Sequence, residues 1–387
     1  MEELSIYIHI PFCVRKCLYC DFLSFPLSES RFGNTLSDSA DARMISYVNY
    51  IREEIITAAP QYKEYQVLSI FFGGGTPSLL PVGEVRRIME TIRKYYRVSE
   101  DAEITIEMNP ETVTEEKLQE YITCGINRLS IGLQSADDDD LERIGRIHDY
   151  RTFEKAYASA RKAGFRNINI DLMAALPEQS VDSYEWTLGK VTSLAPEHIS
   201  AYSLTLEEGT PLHEHRDMYQ FATEEEDREM YALTEQILGS CGYHRYEISN
   251  YALEGYECRH NKVYWQRGNY VGFGLGASSM VNNVRWSNPT DMELYRGYGY
   301  TLERRSLTIR EQMEEYMFLG LRMMRGVNMR KFTENFGTPM AAVYGEVMDK
   351  LCAQGLLVQE EGHIRLTARG IDISNYVMAQ FLFDETG

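Results

Sequence analysis

Long apolar runs are missing from this chain. The longest, such as Ser69-Ile70-Phe71-Phe72, fall far short of a bilayer's thickness, so no transmembrane segment is expected. Basic charge is scarce: 39 Lys and Arg face 58 Asp and Glu, a formal net charge of −19. That balance disfavours phosphate backbones and anionic lipid as partners, and no nucleic-acid role is expected. No targeting segment is evident, because Met1-Glu2-Glu3-Leu4 is acidic and runs straight into a strand. The expected location is the cytoplasm. Only seven cysteines are present, and in a reducing compartment they read as metal ligands or free thiols, not as a disulfide framework. Low-complexity tracts are absent, as are repeats beyond an alternation of strand and helix.

Hydrophobic residues make up 44% of the 387, enough for a large core, and a length of this order accommodates two or three domains. Strands are predicted at 5–10, 67–72, 103–108, 127–133, 167–173 and 197–203, each a short run rich in Ile, Leu, Val or Phe. Amphipathic helices are predicted between them, at 43–59, 82–96, 114–124, 151–163 and 180–193. This order implies a parallel sheet covered by helices. Six β/α units are two short of a closed barrel, so the expected architecture is an open, three-quarter (β/α)6 barrel. The stretch Leu27 to Asp41 reads as a mobile loop, and Asp137 to Asp140 as a solvated helix start with no chemistry.

Three units are expected: residues 1–222 as the barrel, 223–300 as a helix and an aromatic, glycine-rich β-segment, and 301–387 as a small C-terminal domain. In the last, helices are followed by Gly355-Leu356-Leu357-Val358 and His363-Ile364-Arg365-Leu366, a winged-helix-like arrangement. Its wing, Gln359-Glu360-Glu361-Gly362, is acidic, which favours a scaffold or contact role over DNA binding.

Close to the start stand Cys13, Cys17 and Cys20, in a C-x3-C-x2-C spacing. Thiolates so placed suit three irons of a 4Fe–4S cluster and leave the fourth iron open to a small chelating molecule. A structural zinc site is the alternative, but such sites are normally closed by a fourth ligand. The cysteines directly follow the first strand, at the end where parallel barrels carry their active sites. Other polar residues collect at the same end. Gly73-Gly74-Gly75-Thr76-Pro77 follows the second strand and lacks the Lys-Ser/Thr pair of a phosphate loop. Alternation puts Thr105, Glu107 and Asn109 on one face of the third strand. Gln134 and Ser135 end the fourth strand, and Asp171 lies within the fifth.

These segments resemble the coproporphyrinogen oxidase-like branch of the radical S-adenosylmethionine (SAM) family. The resemblance rests on Tyr7-Ile8-His9-Ile10-Pro11-Phe12-Cys13, Gly73 to Pro77, Ile106-Glu107, Asn127 to Ser135 and Asn169 to Met173, in order over essentially the whole chain. It implies that Cys13, Cys17 and Cys20 hold a 4Fe–4S cluster. It further implies that Tyr7, Gly74, Gly75, Thr76, Glu107, Gln134, Arg146 and Asp171 contact SAM. No residue is assigned a catalytic role.

The branch contains an oxygen-independent coproporphyrinogen III oxidase and a group of haem chaperones. The oxidase carries a further cysteine two positions past the cluster ligands, where this chain has Phe22, and an N-terminal extension. The chaperones carry an HNxxYW segment, matched here by His260-Asn261-Lys262-Val263-Tyr264-Trp265. The resemblance therefore implies haem as ligand, with His260 as its expected iron ligand and Tyr264 and Trp265 as flat faces against the macrocycle. Gly272, Gly274 and Gly276 are expected to let backbone approach that planar ligand. Haem-requiring client proteins, such as respiratory ones, and an electron donor are the expected partners. The alternatives are the oxidase itself and, disfavoured by its acidic wing, a winged-helix regulator with a metal sensor.

Overall fold

In the computed structural model of the protein, the described residues are 2–28, 39–296 and 303–383. Most of the loop expected at 27–41 lies outside them. The strands in chain order are β1 (Glu2–Ile10), β2 (Phe12–Cys13), β3 (Phe25–Pro26), β4 (Tyr65–Gly74), β5 (Arg97–Met108), β6 (Arg128–Gln134), β7 (Ile168–Ala174) and β8 (His198–Ser203). They are followed by β9 (His244–Glu247), β10 (Asn250–Ala252), β11 (Tyr270–Phe273), β12 (Ser278–Val281), β13 (Val284–Ser287), β14 (Arg305–Ser306), β15 (Val327–Asn328), β16 (Leu357–Glu360) and β17 (His363–Leu366).

Six of these, in the order β1-β4-β5-β6-β7-β8, pair in parallel as an open sheet. Helices Ala40–Ala58, Glu84–Tyr95, Glu115–Thr123, Tyr150–Ala163 and Val181–Ser193 connect them, where the amphipathic periodicity predicts. Strand alternation explains how the sheet is used. Ile6, Ile8 and Ile10, Ile70 and Phe72, Ile104 and Ile106, Leu129 and Ile131, and Ile168 and Ile170 are buried in one continuous core. The alternate positions, facing inward, are largely polar: Ser5, Tyr7, His9, Ser69, Glu103, Thr105, Glu107, Arg128, Ser130, Asn169, Asp171, His198 and Ser200. A closed barrel would fill this space with branched apolar side chains. Here the interior is polar.

The β-segment expected within 223–300 is not a separate layer. Its strands extend the same sheet at both edges: β10 and β9 join antiparallel beside β8, while β11 joins parallel beside β1 and leads to β12, β13 and β14. The HNxxYW residues lie not in a β-rich loop but on a short helix, Arg259–Trp265. The glycines nearby let segments of the chain approach one another. Gly274 has φ +101, and a Cβ there would stand 2.6 Å from the His9 carbonyl oxygen and 2.8 Å from the Tyr47 hydroxyl.

The Asp137–Asp140 run also departs from expectation. Asp137 caps helix Asp138–Arg143, but Asp140 is buried, accepting hydrogen bonds from Ser135 and Gln179 at 2.8 Å each. It fastens the end of β6 to the segment after β7.

A second core lies in the C-terminal part, where helices Ile309–Gly320, Met329–Phe336 and Met340–Ala353 pack with the small sheet β15-β17-β16. It meets the barrel through Arg322, whose guanidinium lies 4.4 Å from the Trp265 ring centre and 3.7 Å from Glu247.

Candidate functional site

The cysteine loop is a closed excursion at the end of β1. β2 and β3 pair at its base, and Phe25 and Leu27 donate backbone hydrogen bonds to Pro11 and Cys13 at 2.8 Å each. The glycine segment clasps this base. Gly75 N–H reaches the Ile10 carbonyl at 2.8 Å and Thr76 N–H the Phe12 carbonyl at 2.7 Å. Only a glycine fits at 75, because a Cβ would stand 2.7 Å from the Phe12 carbonyl oxygen and 3.0 Å from Cys13 Sγ.

A chain of polar contacts then runs from one thiol to another. Thr76 Oγ1 lies 3.7 Å from Cys13 Sγ and accepts from Asn109 Nδ2 at 3.1 Å. Asn109 Oδ1 accepts from Arg146 at 2.8 Å. Arg146 also donates to the Gly132 carbonyl at 2.7 Å and approaches Cys17 Sγ at 3.7 Å. The turn after helix Asp138–Arg143 delivers Arg146, and the Leu18 N–H bond to Ile144, 3.0 Å, locks that turn onto the cysteine loop.

Burial raises the Cys13 and Cys20 thiols, Cys20 to about 11, and the neighbouring thiols push the same way. Burial thus favours the neutral thiols of Cys13 and Cys20, and a bound metal is what would turn them to thiolates. Among the described residues no three His, Cys, Asp or Glu side chains converge around one ion position.

Below the cysteines opens a cavity of about 470 Å³. Cys13, Cys17, Cys20, Gly74, Gly75, Thr76, Glu107, Gln134, Arg146 and Asp171 all line it. The sequence reading thus selected residues from five different strand ends that the fold brings to one space. Tyr7 sits just below, its hydroxyl 3.1 Å from His9 Nδ1.

Two carboxyl groups define the cavity's deep wall. Burial, then the Asp171 charge, pushes the Glu107 carboxyl up to about 8, while the Gly74 N–H at 3.2 Å pulls against this. Asp171 is held by Ser130 at 3.0 Å and Asn169 at 2.8 Å. Gln134 adopts φ +75 at a register shift between β6 and β7, and its Oε1 accepts from Tyr202 at 3.3 Å. A non-glycine residue in that region marks local strain of the kind found at binding sites.

Residues 7–191 match the Radical SAM superfamily, and residues 307–373 match the HemN C-terminal domain. The protein named heme chaperone HemW of Bacillus subtilis (strain 168) is 34% identical over 387 residues, covering 98% of this chain and 99% of that one. Its namesake of Escherichia coli (strain K12) is 32% identical over 387 residues, 99% of each. Among solved structures, coproporphyrinogen III oxidase (HemN) from Escherichia coli superposes with a TM-score of 0.83 at 23% identity, covering 98% of this chain and 90% of that one. At that identity the likeness is one of fold.

The chain belongs to the radical SAM superfamily, in its coproporphyrinogen oxidase-like branch.

Membership implies a 4Fe–4S cluster and SAM, and the donor set on the cavity wall suits both. Among the described residues no helix is long and apolar enough to cross a membrane.

His260 stands apart from this site. It is 1% exposed and does not line the cavity. Its Nδ1 lies 2.8 Å from Ser69 Oγ and its Nε2 2.9 Å from the Tyr264 hydroxyl, so both ring nitrogens are engaged. Burial, reinforced by the Arg128 charge, pulls the imidazole down to about 3. The expectation that His260 offers a nitrogen to haem iron does not fit this placement. It seals the lower barrel instead, together with Glu103, which accepts the His260 and Arg259 backbone N–H groups at 3.0 Å each. Trp265 is likewise engaged with Arg322 and not presented to a macrocycle.

Sequence reasoning also passed over cavity residues. Arg15, Lys16, Tyr19, Ser200, Tyr202, Asn250 and Asn261 line the cavity too. Asn261 was legible in the HNxxYW segment, but the histidine drew the assignment.

Proposed function

We propose that this protein is a haem-binding chaperone that carries a 4Fe–4S cluster on Cys13, Cys17 and Cys20 and binds SAM in the adjoining cavity. The observation that carries the reading is likeness over the full length, at 32–34% identity, to proteins named heme chaperones. Phe22 supports it. It stands where the oxidase carries a further cysteine, and it is 61% exposed on the cavity wall.

Each part has its residues. Cys13, Cys17 and Cys20 hold the cluster, which supplies an electron and an open iron. Tyr7, Gly74, Gly75, Thr76, Glu107, Gln134, Arg146 and Asp171 surround the SAM. Glu107 and Asp171 suit an ammonium group and hydroxyls, and Arg146 balances thiolate charge. A cavity of about 470 Å³ is of the size that encloses one drug-sized ligand. With SAM inside, haem docks at the rim, where Phe22 is exposed and where Val14 and Ile147, exposed too, adjoin the lining residues Cys13 and Arg146 in sequence. Such an apolar surface suits a porphyrin face. Haem passes from there to haem-requiring clients in the cytoplasm.

The test is anaerobic reconstitution followed by parallel haem titration and coproporphyrinogen turnover. An intense visible haem band without protoporphyrinogen formation is expected. Multiple turnovers of the porphyrinogen restore the oxidase reading.

A further inference from the structure

The proposed SAM contacts come from β1, β4, β5, β6, β7 and the turn at Arg146. A further part of the lining, from β8, β10 and helix Arg259–Trp265, carries none of them, yet it is built of hydrogen-bonding groups. Asn250 and Asn261 are its two carboxamides.

Backbone register fixes the level of Asn250. It pairs with Ser200 across β10 and β8, and Ser200 pairs with Asp171 across β8 and β7. Cross-strand partners project to the same face. Asn250 therefore shares a layer with Asp171, two strand spacings away, about 10 Å.

Asn250 is 8% exposed, and its Oδ1 has no hydrogen-bond partner among the described residues. The orientation of the carboxamide is fixed by chemistry. Its Nδ2 donates to Glu247 Oε1, a carboxylate oxygen that also accepts the Ser249 N–H at 2.9 Å. The nitrogen must face Glu247, so the oxygen is the atom left over. A buried acceptor without a donor is uncommon, and at a cavity wall it points to a ligand that brings the donor. Asn261, half-buried on the HNxxYW helix, lines the same cavity, and its side chain makes no hydrogen bond among the described residues.

We infer that Asn250 and Asn261 are binding residues for the nucleoside part of SAM, Asn250 accepting a hydrogen bond from it. The inference rests on the reading that this cavity takes SAM. Asn250 lies deeper than the cysteine loop, on the Asp171 layer, and Asn261 lines the same cavity from the helix. They meet the part of the molecule that extends away from the iron. The donor is a ribose hydroxyl or the adenine amine. The HNxxYW segment then has two jobs: His260 anchors the helix in the barrel, and Asn261 faces the ligand.

The experiment measures SAM affinity of the anaerobically reconstituted protein by the change in the EPR spectrum of the reduced cluster. Asn261→Ala and Asn250→Ala are each expected to weaken SAM about three- to tenfold, the effect of one lost hydrogen bond. Iron, sulfide and haem content should be unchanged. Asn250→Ala also removes a partner of Glu247; Asn261→Ala disturbs nothing else and keeps the test decisive if the first variant fails to fold. SAM affinity within twofold of wild type in folded Asn261→Ala overturns the inference but leaves the SAM reading intact. No spectral response in the wild type overturns both.

Competition by two nucleosides identifies the donor. Purine riboside lacks the exocyclic amine, and 2′,3′-dideoxyadenosine lacks the hydroxyls. The difference between wild type and Asn250→Ala should vanish for one of them. A difference that persists for both overturns the assignment of Asn250.

Discussion

Glu103 and Glu107 stand four residues apart on the same inward face of β5, and their surroundings are opposites. Glu103 lies in the lower barrel with every contact made. It accepts N–H groups from Arg259 and His260, faces the Cys258 thiol at 3.5 Å, and contributes to the field around fully buried Arg128. Glu107 lies two side-chain layers higher, against the open cavity, with the Gly74 N–H as its donor among the described residues. The same division runs around the barrel. Low down, His260 bonds Ser69 and Tyr264. Higher up, Gln134, Asp171 and Arg146 border free space. A polar side chain inside a barrel is thus no sign of a ligand by itself. Its height along the strand decides whether protein or ligand completes it.

The strongest way to break this comparison is to strip each region in turn. Changing Cys13, Cys17 and Cys20 to Ala should abolish cluster absorbance, iron and sulfide altogether, while far-UV circular dichroism and the urea midpoint stay near wild type. Retained iron and sulfide would refute the cluster assignment. Removing Cys124, which points its thiol at the Glu120 carbonyl 2.9 Å away, should leave the cluster intact.

In the lower region the damage should be to folding. Glu103→Ala leaves two helix N–H groups without their acceptor and a buried guanidinium without a nearby carboxylate, a loss of about 3–5 kcal/mol in stability. Glu107→Ala should leave the urea midpoint nearly unmoved and weaken the EPR response to SAM. If the two variants are equally destabilised, height in the barrel does not separate the two roles.

A smaller effect tests His260. His260→Ala removes two buried hydrogen bonds and opens a cavity, for a loss of about 2–3 kcal/mol. The haem absorption band should be unchanged in position. A shifted band in a folded variant would return the imidazole to the iron.

These contrasts also show what could be read in advance. The six strands and their helices were legible because apolar residues alternate along each strand and recur at helical spacing between them. The cavity wall was legible because the cysteines, Gly73 to Pro77 and Gln134 fall at strand ends, and Glu107 and Asp171 are charged residues within apolar strands. What pairs with what across the sheet was not legible. Nothing local in 243–252 says that β10 pairs with β8 and places Asn250 on the Asp171 layer. Nor does HNxxYW reveal that Ser69, a residue 191 positions away, takes the His260 ring nitrogen. Asp140 misled for the same reason: an acidic run looks solvated until Ser135 and Gln179 are found against one member of it.

The finest test uses pH, because the Glu107 carboxyl is raised in the folded protein and not in the unfolded chain. Between the ordinary glutamate range and about 8 the unfolded chain releases a proton that the folded protein keeps. Stability must therefore fall as pH rises through that window. His260 acts in the opposite direction, since its imidazole is lowered to about 3, and its contribution grows from there up to the ordinary histidine value. Above pH 6.5 that contribution is constant, so the interval from 6.5 to 8 isolates the carboxyls. Glu54 is the comparison within this interval. Burial pushes it up to about 7, although Gly274, Tyr295 and Asn288 all donate to it. Its contribution is spent soon after pH 7, whereas that of Glu107 persists to about 8. The urea midpoint of SAM-free protein should thus decline from pH 6.5 to 8. Glu107→Gln, neutral throughout, should flatten the upper half of that decline, and Glu54→Gln only the lower. An unchanged slope between pH 7 and 8 in Glu107→Gln would mean that the carboxyl is already ionised in the cavity. Glu107 would then meet SAM as a carboxylate without first losing a proton.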